Sequence, residues 1–213
     1  MLDAAGFVLA GGRSSRMGAD KALLPLSGKP LIAHALAILR QAGLPASIAG
    51  AHSPLSAFAP VVPDSNPDQG PLGGICAALA SSSAYWAVFL PVDQPLLPAA
   101  LVTYLLRHAR TTGQAVTLAS LNGFAHTFPV VLARAVLPLL QAELAAGRRG
   151  CFSAFQAAAA SLHYPITVLP VELLVQSGQV AHPEVLPPAR WFLNVNAPAD
   201  LLEAQKRHPA PIA

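Results

Sequence analysis

Four cations cluster near the start of the chain: Arg13, Arg16, Lys21 and Lys29, all between Gly11 and Pro30. The whole sequence holds only 13 Lys and Arg residues, so almost a third of them fall in this one segment. Gly11 and Gly12 open it, directly after the apolar run Gly6 to Ala10. Adjacent glycines lack Cβ atoms and let backbone N–H groups approach a ligand closely. Arg16 and Lys21 add fixed positive charge of the kind phosphate oxygens accept. The chemistry implied is the holding of a polyphosphate. A flexible solvated loop is the plain alternative, and the strand before and helix after weigh against it.

Asp93 is the second chemical residue. It follows the strongest strand signal in the chain, Tyr85 to Leu90, through Pro91 and Val92. Its carboxylate therefore emerges at the carboxyl end of a strand, where open α/β sheets bind ligands. A lone carboxylate there suits Mg²⁺, which keeps several waters and takes other ligands from substrate phosphates. The plain alternative is a turn aspartate before Pro95. Asp64 precedes a Gly-Pro turn and by itself reads as a turn or helix-capping residue. Asp20 and Asp68 read as exposed turn residues, and Asp20 could instead position Lys21.

Two common phosphate motifs are absent. Gly18 is followed by Ala19 and Lys21 by Ala22, so this is no G-x-x-x-x-G-K-[ST] loop. Gly11 and Gly12 are adjacent, which departs from the dinucleotide pattern G-x-G-x-x-G. No Ser/His/Asp or Cys/His constellation offers an enzyme nucleophile.

These residues need elements to place them. Gly6 to Ala10 reads as a buried parallel strand. Pro30 to Gln41 reads as a helix, with Pro30 in its first turn and Gly43 just past its end. Ala46 to Gly50 and Pro60 to Pro63 read as short strands. Pro71 to Ala80 is a helix after a Gly-rich turn, Tyr85 to Leu90 a strand, and Pro98 to Ala109 a helix. Ala115 to Ala119 and Pro129 to Leu132 read as strands, and Ala135 to Ala146 and Cys151 to Ala160 as helices. Ile166 to Leu169 is a strand, Gln176 to Pro188 a Pro-rich connection, Phe192 to Val195 a last strand and Pro198 to Arg207 a last helix. Strands alternating with helices predict an α/β fold: a Rossmann-like three-layer α/β/α sandwich with a mostly parallel sheet.

Composition bounds the rest. The chain has 213 residues, 54% hydrophobic and 11% charged, against roughly 25% charged in an average soluble domain. The length suits one domain, expected over residues 1–207, with a tail from 208 to 213. About 1–100 would form a nucleotide-binding half and about 101–207 a second-substrate half. A net charge of +3 without a basic run gives no sign of nucleic-acid binding. The apolar stretches are broken by Gly, Pro or Ser and none reaches about 20 residues. No basic region precedes the apolar N-terminus. A cytoplasmic protein with no membrane partner is expected, its two cysteines, Cys76 and Cys151, remaining buried thiols.

The segment LAGGRSSRMGADKALLPLSGKPLIAHAL, starting at Leu9, resembles the signature of the nucleotidyltransferase-like family of pyrophosphorylases. Within that family it is most similar to the molybdenum cofactor guanylyltransferases. Three further matches stand in the family's order: Asp64 with Gly70-Pro-Leu-Gly-Gly74, then Pro91-Val-Asp-Gln-Pro95, then Asn194-Val-Asn-Ala-Pro198. The resemblance implies transfer of GMP from GTP to molybdopterin cofactor, with release of pyrophosphate and no enzyme nucleophile. A terminal phosphate on molybdopterin would attack the GTP α-phosphate. Arg16, Lys21 and Asp93 would be catalytic, with Mg²⁺ on Asp93. Leu9, Ala10, Gly11, Gly12, Lys21, Asp64 and Asp93 would bind GTP. Leu9-Ala-Gly-Gly and Gly-Pro-Leu-Gly-Gly favour guanine over cytosine by family analogy. Acceptor molybdoenzymes or cofactor-carrier proteins would be further partners.

The second substrate would lie on the C-terminal half. Asn194 and Asn196 would alternate on the last strand and face one side, to bind pterin or phosphate or, alternatively, to close a loop. Arg148 and Arg149 follow Gly147; they would meet the pterin phosphate or serve the dipole of the preceding helix. The chain departs from the family's pattern twice. Ile48 to Ala51 carries no Asn where a nucleotide contact is frequent. His126 stands where a basic residue is frequent, and it can carry partial charge near neutral pH. The alternatives are a cytidylyl- or sugar-phosphate nucleotidyltransferase, and a non-catalytic GTP-binding protein that delivers cofactor.

Overall fold

The Gly6 to Ala10 run folds as a strand as expected, beginning two residues earlier and ending one residue earlier. Ala4–Leu9 (β1) is buried along its whole length, which is the mark of a strand covered on both faces. It is an inner strand of the sheet, in a computed structural model that describes residues 3–11, 20–50, 53–64, 69–196 and 198–205. Two short strands, Pro25–Leu26 (β2) and Lys29–Pro30 (β3), form a small antiparallel hairpin. The helix Leu31–Gln41 (α1) follows, then Ala46–Ala49 (β4) and Val61–Val62 (β5). Gly70–Ser81 (α2) and Trp86–Pro91 (β6) come next, with Ala99–Thr112 (α3) after them.

The second half contains Val116–Leu121 (β7), Phe124–Ala133 (β8), Leu137–Ala145 (α4), Cys151–Ser161 (α5) and Thr167–Pro170 (β9). Val171–Gln176 (α6), Pro188–Trp191 (α7) and Pro198–Gln205 (α8) close the chain. One seven-stranded sheet runs in the order β5-β4-β1-β6-β8-β7-β9. Its described pairings are parallel except those of β8 with β6 and β7. Helices α1 and α3 pack together on the sheet, while α2, α4 and α5 form a second packed set. The mostly parallel α/β expectation holds.

Apolar side chains explain the layering. In α1, Leu31, Ile32, Ala35, Leu36 and Leu39 are fully buried at helical spacing. Leu39 meets the bare Cα of Gly6 in β1, so helix and sheet pack closely there. Among the described residues no helix is long and apolar enough to cross a membrane. Cys76 is buried and Cys151 half-buried. Burial pushes their thiols up to about 11 and about 12, so neither is a reactive thiolate.

Three expectations need correction. The strand expected at Pro129 to Leu132 is far longer and forms a hairpin with β7. Its turn is Asn122-Gly123, both with positive φ (51° and 80°), the pairing that tight hairpins demand. Second, helix α6 fills Val171–Gln176, a segment to which the sequence reading assigned no element, just ahead of the connection expected from Gln176. Third, Phe192 to Val195 is no strand; the chain runs there as a turn and loop. Val195 is held by a single backbone bond from its N–H to the Asp93 carbonyl (2.8 Å), and it forms no ladder. The expected tail from 208 lies outside the described residues.

Candidate functional site

Lys21 is placed by a short local device. Asp20 caps a 3₁₀ turn at Lys21–Leu23, its carboxylate accepting from the Ala22 N–H at 3.0 Å. Ala22 is buried, which pins the turn to the core and leaves Lys21 to project. Asp20 thus has the positioning role left open by its sequence. The Lys21 ammonium donates to Asp93 Oδ2 at 2.8 Å and also to Asn196 Oδ1. The side chains of Lys21 and Asp93 are only 19% and 23% exposed, so their attraction is less screened than a surface pair's. Residues 72 and 175 positions from Lys21 converge on one ammonium.

Asp93 sits just beyond β6, as its sequence context requires. Its carbonyl accepts from Val195, and Val195 is fully buried. The following residue, Gln94, is 6% exposed and donates through Nε2 to Asn194 Oδ1 at 3.1 Å. Asn196 is further fixed by its backbone N–H, which donates to Asp200 Oδ2 at 2.7 Å at the start of α8. The two asparagines therefore dock onto the Asp93-Gln94 corner. Asn196 belongs to the Lys21–Asp93 cluster itself. Gln94 was missed by sequence reasoning, although it stands inside the quoted Pro91-Val-Asp-Gln-Pro95 match; an amide is ordinary in a turn and gave no signal.

The loop after β1 is built by close backbone contact. Leu9 and Ala10 remain in the sheet: the Leu9 carbonyl accepts from Val92 and the Ala10 N–H donates to Ala49. The chain leaves the sheet at Gly11. A Cβ there would stand 2.5 Å from the carbonyl oxygen of Gly50, and one on Gly50 would stand 3.3 Å from the Gly11 Cα. Gly50 has φ +72°, a left-handed conformation natural to glycine. It occupies the stretch where an asparagine was noted as missing, and backbone packing explains the small residue. A Cβ on Gly74 in α2 would stand 3.7 Å from the Gly50 Cα, an ordinary contact that leaves no spare room.

Gly11→Ala is expected to destabilise the protein by about 1–3 kcal/mol and to weaken nucleotide binding. Thermal unfolding with nucleotide titration checks both, and an unchanged midpoint would exclude the contact as a constraint.

Asp64 lies at the far side of this edge. Its oxygens stand 3.2 Å from the point a Cβ on Gly73 would occupy, so the carboxylate rests against the first turns of α2. It borders a cleft of about 300 Å³ lined also by Gln69, Cys76 and Gln141. Three strand steps separate β5 from β6, roughly 14 Å at ~4.8 Å per step. Asp64 and the Lys21–Asp93 pair thus bracket the Leu9-Ala10-Gly11 edge instead of meeting. Arg16 and Gly12 lie outside the described residues, as does Asp68.

The remaining residues are elsewhere. Arg148 makes a two-pronged ion pair with Glu143 (2.6 Å for both bonds) just past α4. That bond raises the arginine and lowers the glutamate from their ordinary values. His126 on β8 stacks on Phe192, centroids 4.0 Å apart. Burial holds its imidazole below the usual range, against the opposing pull of Glu172. The partial charge expected near neutral pH is therefore suppressed. His182 is lowered in the same way by burial; its Nδ1 accepts from the Glu184 N–H, so Nε2 carries the proton toward the Leu96 carbonyl.

Both imidazoles are held neutral by the fold, while the unfolded chain protonates them near the ordinary imidazole value of about 6.5. Below that pH the unfolded state binds more protons, so stability falls as pH drops from about 6.5 toward the lower folded values. The thermal midpoint at pH 7.5 should exceed that at pH 5.5, and His182→Gln, which retains a donor toward Leu96, should narrow the gap. An identical gap in the variant would remove His182 from the account.

The architecture and the site can be set beside known proteins. The model of the MobA-like NTP transferase domain matches residues 6–162. The molybdenum cofactor guanylyltransferase of Xanthomonas euvesicatoria pv. vesicatoria is 50% identical over 102 residues, 47% of this chain and 52% of that one; this chain thus spans about half the length of that relative. The molybdenum cofactor guanylyltransferase of Vibrio cholerae serotype O1 is 31% identical over 214 residues, 97% of this chain and 94% of that one. The crystal structure of molybdopterin-guanine dinucleotide biosynthesis protein A from Archaeoglobus fulgidus superposes with a TM-score of 0.73 at 20% identity, covering 94% of this chain and 96% of that one. That last likeness speaks for the fold. By the match over residues 6–162 and the near full-length relative, this chain belongs to the MobA-like NTP transferase domain family.

Proposed function

We propose that this protein transfers GMP from GTP to molybdopterin cofactor and releases pyrophosphate. The carrying observation is the convergence of Lys21, Asp93 and Asn196 at the carboxyl edge of the sheet, in a chain similar end to end to a protein named molybdenum cofactor guanylyltransferase. An oxygen of the acceptor's terminal phosphate attacks the α-phosphorus of GTP. The bond from that phosphorus to the β-phosphate oxygen breaks, and pyrophosphate leaves with the electron pair. No covalent enzyme intermediate is needed, so alignment and charge neutralisation carry the catalysis.

Lys21 supplies the positive charge. An ammonium has three donors; two serve Asp93 and Asn196, and the third is available to a phosphate oxygen. Asp93 holds the ammonium in place before substrate arrives. Among the described residues no group of three or more His, Cys, Asp and Glu could hold a metal ion. The donor set fits a cation bound through one carboxylate, with phosphates and water completing its shell, which is the habit of Mg²⁺. Asp93 would hold it, and Mg²⁺ when bound supplies Lewis-acid neutralisation of phosphate charge. Leu9, Ala10, Gly11 and Gly12 would line the nucleoside, Asp64 its far end, and Arg16 would join Lys21 on the phosphates. His126, Asn194, Asn196 and Arg148 would lie toward molybdopterin. Residues 1–100 would thus serve the nucleotide and 101–207 the second substrate, in the cytoplasm, ahead of acceptor enzymes or carriers.

The test is pyrophosphate release with GTP, CTP and ATP in parallel, each with Mg²⁺ and molybdopterin. Release with GTP far above the other two is expected. Preference for CTP would favour the cytidylyl reading, and GTP binding without release would make the protein a cofactor-delivery module.

A further inference from the structure

Asn196 and Asn194 are oriented by different partners, and the two orientations agree. Lys21 can only donate, so Asn196 must turn its Oδ1 toward the ammonium. Its Nδ2 then points away as a donor. Asn194 accepts through Oδ1 from Gln94 Nε2 at 3.1 Å, which likewise leaves Nδ2 as the outward group. Asn194 is exposed at the docking corner, and no partner for its Nδ2 is recorded among the described residues. Gln94, in contrast, is 6% exposed, and its Oε1 is buried without a partner among those residues.

A buried amide left half satisfied is costly. Such a group persists where its placement serves something else. Gln94 holds residue 194 from the side chain while the Asp93 carbonyl holds residue 195 from the backbone. Together they splice the 194–196 loop onto the Asp93 corner, where no strand ladder does so.

We propose that Gln94 is a positioning residue: it sets the Asn194 amide so that its NH₂ faces the second substrate as a donor. With Asn196 turned the same way, the loop presents two amide donors beside a lysine, which is the chemistry that recognises an oxyanion. The acceptor phosphate of the second substrate is such a group. This deepens the reading above and rests on it. Gln94 touches no reacting atom; it acts through Asn194.

The test is a double-mutant cycle in the full chain with GTP, Mg²⁺ and molybdopterin. Gln94→Met keeps the volume and removes the bond. It should raise KM for molybdopterin about tenfold, the worth of one good hydrogen bond, with KM for GTP unchanged. Asn194→Ala, at an exposed position, should do the same, and the double variant should be no worse than Asn194→Ala alone. Asn194→Asp keeps the acceptor for Gln94 but removes the donor, and should lose molybdopterin affinity as well. Additive losses, a shift confined to GTP, or an unaffected Asn194→Asp would overturn the proposal.

A readout without turnover separates this proposal from the functional reading. In the free protein the Gln94 side-chain amide protons should exchange slowly in NMR spectra, and faster in Asn194→Ala. Fast exchange in the unaltered protein would end the proposal. If the protein made no dinucleotide while the amide protons stayed protected, the functional reading would fall and the clamp would stand.

Discussion

Asp93→Asn is expected to lower kcat/KM for nucleotidyl transfer by about a thousandfold or more. The carboxylate has two charge-dependent duties in this account. It holds the Lys21 ammonium at 2.8 Å, and it would hold the cation that neutralises the phosphates. An amide is nearly the same size and performs neither duty well. The backbone duty survives, because the Val195 N–H bonds the Asp93 carbonyl and not its side chain. The variant should therefore fold, with a thermal midpoint within a few degrees of the parent. Steady-state kinetics across a Mg²⁺ titration checks the effect. Activity that recovers fully at high Mg²⁺ would show that the carboxylate only raises metal affinity.

The second large effect is at Lys21. Lys21→Ala should cost about 10²–10³ in kcat, since the ammonium is the one described cation joined to Asp93. It should also release Asn196, whose Oδ1 loses its donor. Binding of molybdopterin should weaken alongside catalysis, which distinguishes this variant from Asp93→Asn. The two replacements disrupt one ion pair, so the double variant should lose far less than the product of the single losses. Lys21→Arg tests geometry at constant charge: a planar guanidinium cannot reproduce three tetrahedral donors, and only partial recovery is expected. Wild-type activity in Lys21→Arg would mean that charge alone suffices.

The parts of the fold legible in the sequence were those carried by local signals. The buried runs at Gly6 to Ala10 and Tyr85 to Leu90 became β1 and β6, and Pro30 and Gly43 bracketed α1 closely. The Asp93 position followed from the end of its strand. What escaped had non-local causes. The Phe192 to Val195 run is mostly apolar and β-branched at Val195, yet no neighbouring strand offers it a ladder; the Val195 N–H bonds the Asp93 carbonyl and Gln94 bonds the Asn194 side chain instead. The length of β8 depends on its pairing with both β6 and β7, which no local window contains. The Asn122-Gly123 turn was a local signal and could have been read.

The site divides in the same way. Lys21 and Asp93 were identifiable singly, but their contact spans 72 residues, and no spacing rule links them. Asn196 was read on a strand face; a loop carries it instead, and its contact with Lys21 spans 175 residues. Gln94 became visible only through its burial and its bond to Asn194. Gly50 looked like an absent contact residue and proved to be a packing contact for Gly11. Chemical type was legible residue by residue; partnership required the fold.

The central claim is that the Lys21–Asp93 corner passes the α-phosphate of GTP to molybdopterin. Incubation with α-³²P-labelled GTP, Mg²⁺ and molybdopterin measures this directly, with the product isolated and its mass determined. The account predicts label in a guanine dinucleotide of molybdopterin, formed in step with unlabelled pyrophosphate and lost in Asp93→Asn. Label appearing only as free GMP, or an equal yield from Asp93→Asn, would contradict it.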